Sequence, residues 1–503
     1  MDDQIRKLGM VLLICFAALF IRLNWVQIFT AERLATDPIN TRTIVETFGQ
    51  QRGDIVTADG VVIATSIETD GQLERERRYP HGELFGHVTG WYAFNYGVSG
   101  IERTYNAELA GEENPVPVTE ILDLLGDGDG RADVHLHLRD DLQRAARAAL
   151  GDRRGSVVAL DPRTGGVLAL WSQPSFDPSG ISSNDLEAAE AAWTSITNDP
   201  LNPALARSYR EVFAPGSTFK VITAAAGLES GRVNALAPVF DSVTAYTAPL
   251  TTQELTNFGG STCGGDMGEI LRRSCNTSFA ELGAERLGPE LMISAAESFG
   301  FNDEIPVDQP DAAVSVFPDD FGAAINTSEI DPRVSIVENT PALAQSSIGQ
   351  FDVRATPLQM AMVAAAVANG GQMTTPYLVD RVIDPEGALV LRNEPRLWRQ
   401  ATSRATAEEL RRLMVSVVDD GTGQALATPG LTIGAKTGTA QTTTTGPTDD
   451  THAWIIAFAG SPGSTAKIAI AVIVEAVPGG GQQTGGSVAA PIARQVLATA
   501  LGG

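Results

Sequence analysis

The sequence predicts an α+β fold, an antiparallel sheet flanked by helices, set behind an apolar N-terminal segment and a smaller mixed module. Three observations predict it. Two strand-like runs, Ser156–Leu160 and Gly166–Leu170, are separated from two more, Ala453–Ala459 and Lys467–Glu475, by a helix-rich block from Phe213 to Val418. A closing segment, Pro491–Leu501, reads as a helix. A long apolar run, Leu8 to Ile28, stands ahead of everything else.

That apolar run is interrupted by Arg22, Asn24 and Gln27, yet it approaches the roughly 20 residues a helix needs to span a bilayer. Arg6 and Lys7 precede it, so the positive-inside rule places residues 1–7 in the cytoplasm and the chain after residue 29 outside. No small-x-small cleavage site follows it, and Ile14 before Cys15 disfavours a lipoprotein site. An uncleaved anchor over residues 8–28 is expected.

Residues 30–130 read as an accessory module. Its charge run Glu74-Arg75-Glu76-Arg77-Arg78 is expected to be a solvated face. The repeat Gly126-Asp127-Gly128-Asp129-Gly130 lacks the wider ligand pattern of a calcium loop, so a flexible turn or linker is expected.

A second module is expected from Val134 to residue 503. Asp140–Leu150 reads as a capped amphipathic helix, the first strand pair turns about Asp161-Pro162-Arg163-Thr164-Gly165, and Lys436 lies in a fifth strand. The length suggests two or three domains, and 43 % hydrophobic with 19 % charged residues suits a globular chain with a large core. A net charge of -25 argues against nucleic acid and against a broad basic surface on anionic lipid. The five histidines are scattered, and His135 with His137 lack a nearby carboxylate or cysteine cluster, so neither metal nor cofactor is expected.

Four lysines occur in the chain, and two fall in Ser217-Thr218-Phe219-Lys220 and Lys436-Thr437-Gly438-Thr439. Lysine, unlike arginine, can be driven to the neutral base by burial. If Ser217 opens a helix, Lys220 lies one turn on and on the same face, within reach of the hydroxyl. A backbone N–H at a helix start is also available for an oxyanion. Ser464-Thr465-Ala466-Lys467 has the same spacing, but the residues after it alternate as a strand, where positions three apart face opposite ways. It reads as a hairpin turn.

Singly, such motifs are weak. A Ser-x-x-Lys or a Ser-x-Asn should each arise about twice by chance in a chain of this length, and a Lys-Thr-Gly roughly once in ten. Here all three occur in order as Ser217, Ser274-Cys275-Asn276 and Lys436, the signature of penicillin-binding proteins and serine β-lactamases. Taken one at a time, Ser217 could be an N-cap, Asn276 a helix cap and Lys436 a surface lysine.

With these motifs the chain resembles the class B penicillin-binding proteins in their short, membrane-anchored form, over nearly everything after residue 5. Further family-like segments are Arg52-Gly53-Asp54-Ile55 before Asp59-Gly60, Gly97-Val98-Ser99-Gly100-Ile101-Glu102, Ser347-Ile348-Gly349-Gln350 leading to Thr356-Pro357-Leu358-Gln359-Met360, Gly421-Thr422-Gly423 and Ala490-Pro491. Phe351 departs from the glycine the family often places there. The resemblance implies a penicillin-binding, serine β-lactamase-like transpeptidase domain over 134–503 and a pedestal over 30–130.

It implies that Ser217 attacks the D-alanyl-D-alanine bond of a stem peptide with Lys220 as base, Ser274 relaying protons and Asn276 orienting the donor. Backbone N–H groups of Ser217 and Thr439 would form the oxyanion hole. Lys436, with Thr437, Gly438 and Thr439, would hold the terminal carboxylate. An acceptor amine would then resolve the acyl-enzyme, and β-lactams would trap Ser217. The implied partners are peptidoglycan stem peptides, β-lactams and a membrane glycan polymerase of the shape, elongation, division and sporulation type, because no glycosyltransferase module fits before residue 130. A β-lactamase or β-lactam sensor shares the motifs, but the anchor and large preceding module favour wall synthesis. A purely scaffolding role is disfavoured by the intact Ser217, Lys220 and Lys436.

Cys263 and Cys275 lie outside the expected anchor, where disulfides persist. Both a bridge and two separate buried thiols remain open at this level. Phe219 is expected in the core, whereas Trp171, Trp193 and Tyr209 are compatible with either core or cleft.

Overall fold

The computed structural model describes residues 2–25, 48–71, 73–111, 131–442 and 450–502. The end of the expected anchor and the acidic repeat at Gly126–Gly130 lie outside the described residues. Two compact units emerge, one of Met1–Gln51 with Ser66–Glu76, the other of Arg52–Thr65 with Arg77–Gly503. In the first, a helix runs from Asp2 to Trp25, with Leu8, Leu13, Phe16 and Phe20 exposed. Among the described residues no helix is long and apolar enough to cross a membrane.

In the second unit, an antiparallel sheet is ordered Thr432–Gln441, Thr451–Gly460, Ile468–Val474, Gly155–Leu160, Val167–Gln173. The strand groups from both ends of the segment therefore meet in one sheet, as their spacing predicts. Ile468–Val474 is buried at all its positions, because helices cover both faces. Helix Pro357–Ala368 packs on that strand and its neighbours, while Asp140–Leu150 and Ala490–Leu501 pack together against the sheet. The turn at Ser464 joins two of the strands and leaves Ser464 partly exposed, as expected of a hairpin.

The helix Asp140–Leu150 has the expected limits but no side-chain cap of its own. Its cap comes from far upstream: the Asp59 carboxylate accepts from the N–H groups of Asp140 and Asp141 at 3.0 and 3.4 Å. Local sequence could not disclose that partner.

Residues upstream of Val134 and downstream of Tyr377 also share a sheet. Ile55–Val56 pairs with Val62–Glu68 on one side and, in parallel, with Asp133–Leu136 on the other; Val379–Ile383 then joins Asp133–Leu136, and Leu389–Arg392 follows. Two strands of the C-terminal segment thus complete a sheet begun by the N-terminal module.

The charge run departs from the solvated face expected of it, since Arg77 is only 3 % exposed. Arg77 Nε donates to Glu102 Oε1 at 2.6 Å, and Arg52 Nη2 donates to Glu102 Oε2 at 2.9 Å. Burial opposes the charge on Glu102, but the two guanidinium groups hold its carboxyl below the usual range. Arg52 also lies over the Tyr92 ring at 4.0 Å. The Arg-Gly-Asp and Gly-Ile-Glu segments thus meet in one buried charge cluster.

Removing one member leaves uncompensated buried charge. Glu102→Ala is expected to destabilise the protein by about 3–5 kcal/mol, read as a lower urea midpoint at unchanged slope; a loss below about 1 kcal/mol would contradict the cluster's role.

Candidate active site

Ser217 lies on a tight turn, Gly216–Phe219, that feeds the helix Lys220–Glu229. The α-helix begins at Lys220, not at Ser217 as the sequence suggested. A turn of three residues stacks position i over i+3, so Ser217 and Lys220 still share one side of the turn, with no hydrogen bond between them. Gly216 adopts φ +53°, and a Cβ there would stand 2.7 Å from the Thr439 carbonyl oxygen. Below the turn, Phe219 is fully buried and stacks on Phe317 with ring centroids 5.3 Å apart. The turn that carries Ser217 therefore rests on an aromatic floor.

Lys220 is fully buried. Its Nζ donates to the Ser274 carbonyl at 2.8 Å and to Asn276 Oδ1 at 2.6 Å, with Ser274 Oγ at 3.4 Å. The Phe279 ring centroid is 5.5 Å away. Burial pushes this amine well below the ordinary lysine value, and the neighbouring Lys436 charge acts in the same direction. A neutral amine carries two N–H groups and one lone pair. In that form the carbonyl and the Asn276 oxygen would use both N–H groups, leaving the lone pair for a proton from elsewhere.

Lys436 is also fully buried, and burial lowers it to about 7. Its Nζ donates to Ser274 Oγ at 2.8 Å and to the Thr437 carbonyl at 2.9 Å. The Ser274 hydroxyl thus stands between two lysine amines. Ser274 itself is left-handed, φ +62° and ψ +44°, a conformation that costs a non-glycine residue roughly 1–2 kcal/mol. It ends the helix Met267–Arg273, and the next residue, Cys275, is disulfide-bonded to Cys263. The bridge left open by the sequence is present.

Asn276 also donates from Nδ2 to the Thr256 carbonyl at 2.9 Å. Thr437 Oγ1 is 2.6 Å from Thr422 Oγ1, in the Gly421-Thr422-Gly423 segment. Thr256 and Thr422 are site residues that sequence reasoning missed, since their contacts are long-range. Ser217, Ser274, Asn276, Thr437 and Thr439 all line one cavity of about 1030 Å³. Gly438 packs behind it: a Cβ there would lie 2.9 Å from the Pro215 carbonyl oxygen. Its side-chain absence lets the edge strand Thr432–Gln441 abut the Ser217 turn.

Among the described residues, Ser217 Oγ has no hydrogen-bond partner, and no cluster of His, Cys, Asp and Glu could hold a metal ion. Trp171 and Tyr209 are buried, while Trp193 stacks on Tyr96 at 4.6 Å; none of the three lines the cavity. Phe351, at the position often held by glycine, has φ +58°. The backbone there adopts the conformation that favours glycine, and the phenyl group is 44 % exposed.

A serine on a tight turn, a buried amine driven well below the ordinary lysine range and a second buried amine beside an edge strand fit a serine acyl-transfer site. Residues 155–498 match the family described as the penicillin binding protein transpeptidase domain, and residues 52–133 match the penicillin binding protein A dimerisation domain. The chain belongs to the penicillin-binding protein transpeptidase family. Within it, the chain is similar to the peptidoglycan D,D-transpeptidase PbpA of Mycolicibacterium smegmatis, 37 % identical with 100 % of this chain and 99 % of that protein covered. PbpA of Mycobacterium tuberculosis H37Rv is 36 % identical, with both chains fully covered. The penicillin G acyl-enzyme of penicillin-binding protein A from M. tuberculosis superposes with a TM-score of 0.77 at 34 % identity, covering 90 % of this chain and 99 % of that one. Its imipenem acyl-enzyme gives 0.78 at 34 % identity, covering 91 % and 99 %.

Two expectations follow from the geometry. Alkylation of the unfolded, non-reduced protein should label Cys15 alone, with Cys263 and Cys275 reacting only after reduction; labelling of all three beforehand would refute the bridge. Second, between about pH 7 and pH 10 the unfolded chain keeps the Lys436 proton that the native state has lost. Native stability must therefore rise with pH across that window, by up to about 1.4 kcal/mol per unit for one such group. Lys436→Met should flatten that rise in denaturant titrations, and an unchanged slope would mean Lys436 is not held neutral.

Proposed function

We propose that this chain is a peptidoglycan D,D-transpeptidase that cross-links stem peptides through a Ser217 acyl-enzyme. The observation that carries this reading is the pair of buried amines about Ser274, which lines the same cavity as Ser217. Ser217 Oγ attacks the carbonyl carbon between two D-alanines, and its proton passes to the Lys220 lone pair. The C–N bond breaks, the proton returns through Ser274 to the leaving D-alanine, and an ester remains on Ser217. An acceptor amine then forms the new amide and releases the Ser217 hydroxyl.

Backbone N–H groups of Ser217 and Thr439 serve as the oxyanion hole; Thr439 belongs to the edge strand of the sheet, whose outer N–H groups are not all used in pairing. Lys436, Thr437 and Thr439 hold the donor carboxylate, with Gly438 allowing the strand's approach, and Asn276 orients the donor peptide. β-Lactams present the same acyl carbon to Ser217, in keeping with the acyl-enzyme structures of the related protein.

The proposed domain limits are a cytoplasmic tail over 1–7, a single-pass anchor over 8–28, a pedestal over 30–130 and the transpeptidase over 134–503, with the catalytic part outside the membrane. Supporting the anchor, the helix Asp2–Trp25 has 24 residues. Residues 8–25 of it fall within the proposed anchor and rise about 27 Å at 1.5 Å per residue, close to the roughly 30 Å of a hydrocarbon core. A membrane glycan polymerase of the shape, elongation, division and sporulation type is the proposed partner, because a transpeptidase joins glycan strands and needs another protein to make them.

Incubating the full-length protein with penicillin should give one covalent adduct, mapped to Ser217 by peptide mass spectrometry and absent in Ser217→Ala. A folded wild type that forms no adduct would overturn the assignment.

A further inference from the structure

The cavity that holds Ser217 is lined mainly by threonine, glutamine, serine and glycine, and its wall carries two charged side chains among the described residues, Glu254 and Arg273. Arg273 is already engaged: Nη2 donates to the Thr262 carbonyl at 2.9 Å, and Glu269 lies 3.6 Å from Nη1. Glu254 is different. It is exposed, and among the described residues its carboxylate has neither an ion-pair nor a hydrogen-bond partner.

Its place is set by the catalytic centre. Glu254 belongs to the short strand Glu254–Thr256, which pairs with Ala245–Thr247 in the register Thr247 opposite Glu254. Two residues on, the Thr256 carbonyl accepts from Asn276 Nδ2, and Asn276 Oδ1 in turn accepts from Lys220. Residues i and i+2 of a strand share a face and lie about 7 Å apart. Glu254 therefore lies one strand repeat along the cavity wall from Thr256, whose carbonyl holds Asn276.

An alkylamine acceptor arrives protonated at neutral pH. It must enter a cleft whose described residues include one unpartnered anionic side chain, Glu254. We propose that Glu254 forms the entry subsite for the acceptor, drawing in and orienting a stem peptide that presents a side-chain ammonium group. This rests on the transpeptidase reading and assigns to one residue the recognition of its second substrate. The ammonium gives one proton to water; the neutral nitrogen then forms the C–N bond to the acyl carbon. A further amine proton passes through Lys220 to Ser217 Oγ as the ester C–O bond breaks, so atoms and charge balance. Glu254 is a specificity residue here and takes no part in forming the acyl-enzyme.

The test uses the full-length protein, a thioester donor peptide and two competing nucleophiles, a lysine side-chain amine within a short peptide and hydroxylamine, which is largely neutral at pH 7. Aminolysis is measured against hydrolysis for wild type, Glu254→Gln and Glu254→Asp, with penicillin acylation followed in parallel. For an exposed charge pair, Glu254→Gln should lower the partition toward the lysine amine by about fivefold. Glu254→Asp should retain part of it, and the effect should shrink at high salt. Hydroxylamine transfer and penicillin acylation should stay at wild-type rates. An unchanged lysine partition in Glu254→Gln, or an equal loss with hydroxylamine, overturns the subsite. Failure of wild type to acylate with either donor or drug would instead overturn the transpeptidase reading itself.

Discussion

The active centre depends on one constraint: two lysine amines are buried together around a single serine hydroxyl. Ser274 Oγ is 2.8 Å from Lys436 Nζ and 3.4 Å from Lys220 Nζ. Two ammonium groups so placed and so dry would repel strongly, and each also loses its hydration. Shedding a proton relieves both costs. Burial thus drives the Lys220 amine well below the ordinary lysine range, and the neighbouring Lys436 amine reinforces the effect.

The surrounding structure keeps that arrangement from relaxing. Ser274 is held left-handed at a helix end, Cys275 is tied to Cys263, and Asn276 is clamped between Lys220 and the Thr256 carbonyl. On the opposite side, two glycines, Gly216 and Gly438, let the Ser217 turn and the edge strand come closer than any side chain would allow. The strain at Ser274 persists because a disulfide, a helix cap and two amines over-determine its position.

Local signals carried much of the fold. The limits of the helix Asp140–Leu150 and the strand character of Gly155–Leu160, Thr451–Gly460 and Ile468–Val474 follow from periodicity, which depends only on neighbours in sequence. The residues proposed as catalytic were singled out for a different reason: acyl-transfer chemistry demands fixed types at fixed spacings, so Ser217, Lys220, Ser274, Asn276 and Lys436 stand out together. What remained hidden involves residues far apart in the chain. The Asp59 cap on Asp140, the clasp of Thr422 on Thr437 and the burial of Arg77 against Glu102 each join segments that no local pattern connects. Ser217 misled by a subtler route, since a tight turn and an α-helix share the i, i+3 contact that the motif announces.

The sheet shared between the two ends of the folded unit has a consequence for how the chain is made. Asp133–Leu136 finds one partner in Ile55–Val56 and the other in Val379–Ile383. As the polypeptide emerges N-terminus first, its early portion carries an unsatisfied strand edge until the downstream partner has also emerged. A ribosome that stalls in between leaves a sticky, half-built sheet rather than a finished first domain. Synthesis of this protein is therefore closer to closing a clasp than to stringing beads, and truncations that end between those strands should be poor folding units.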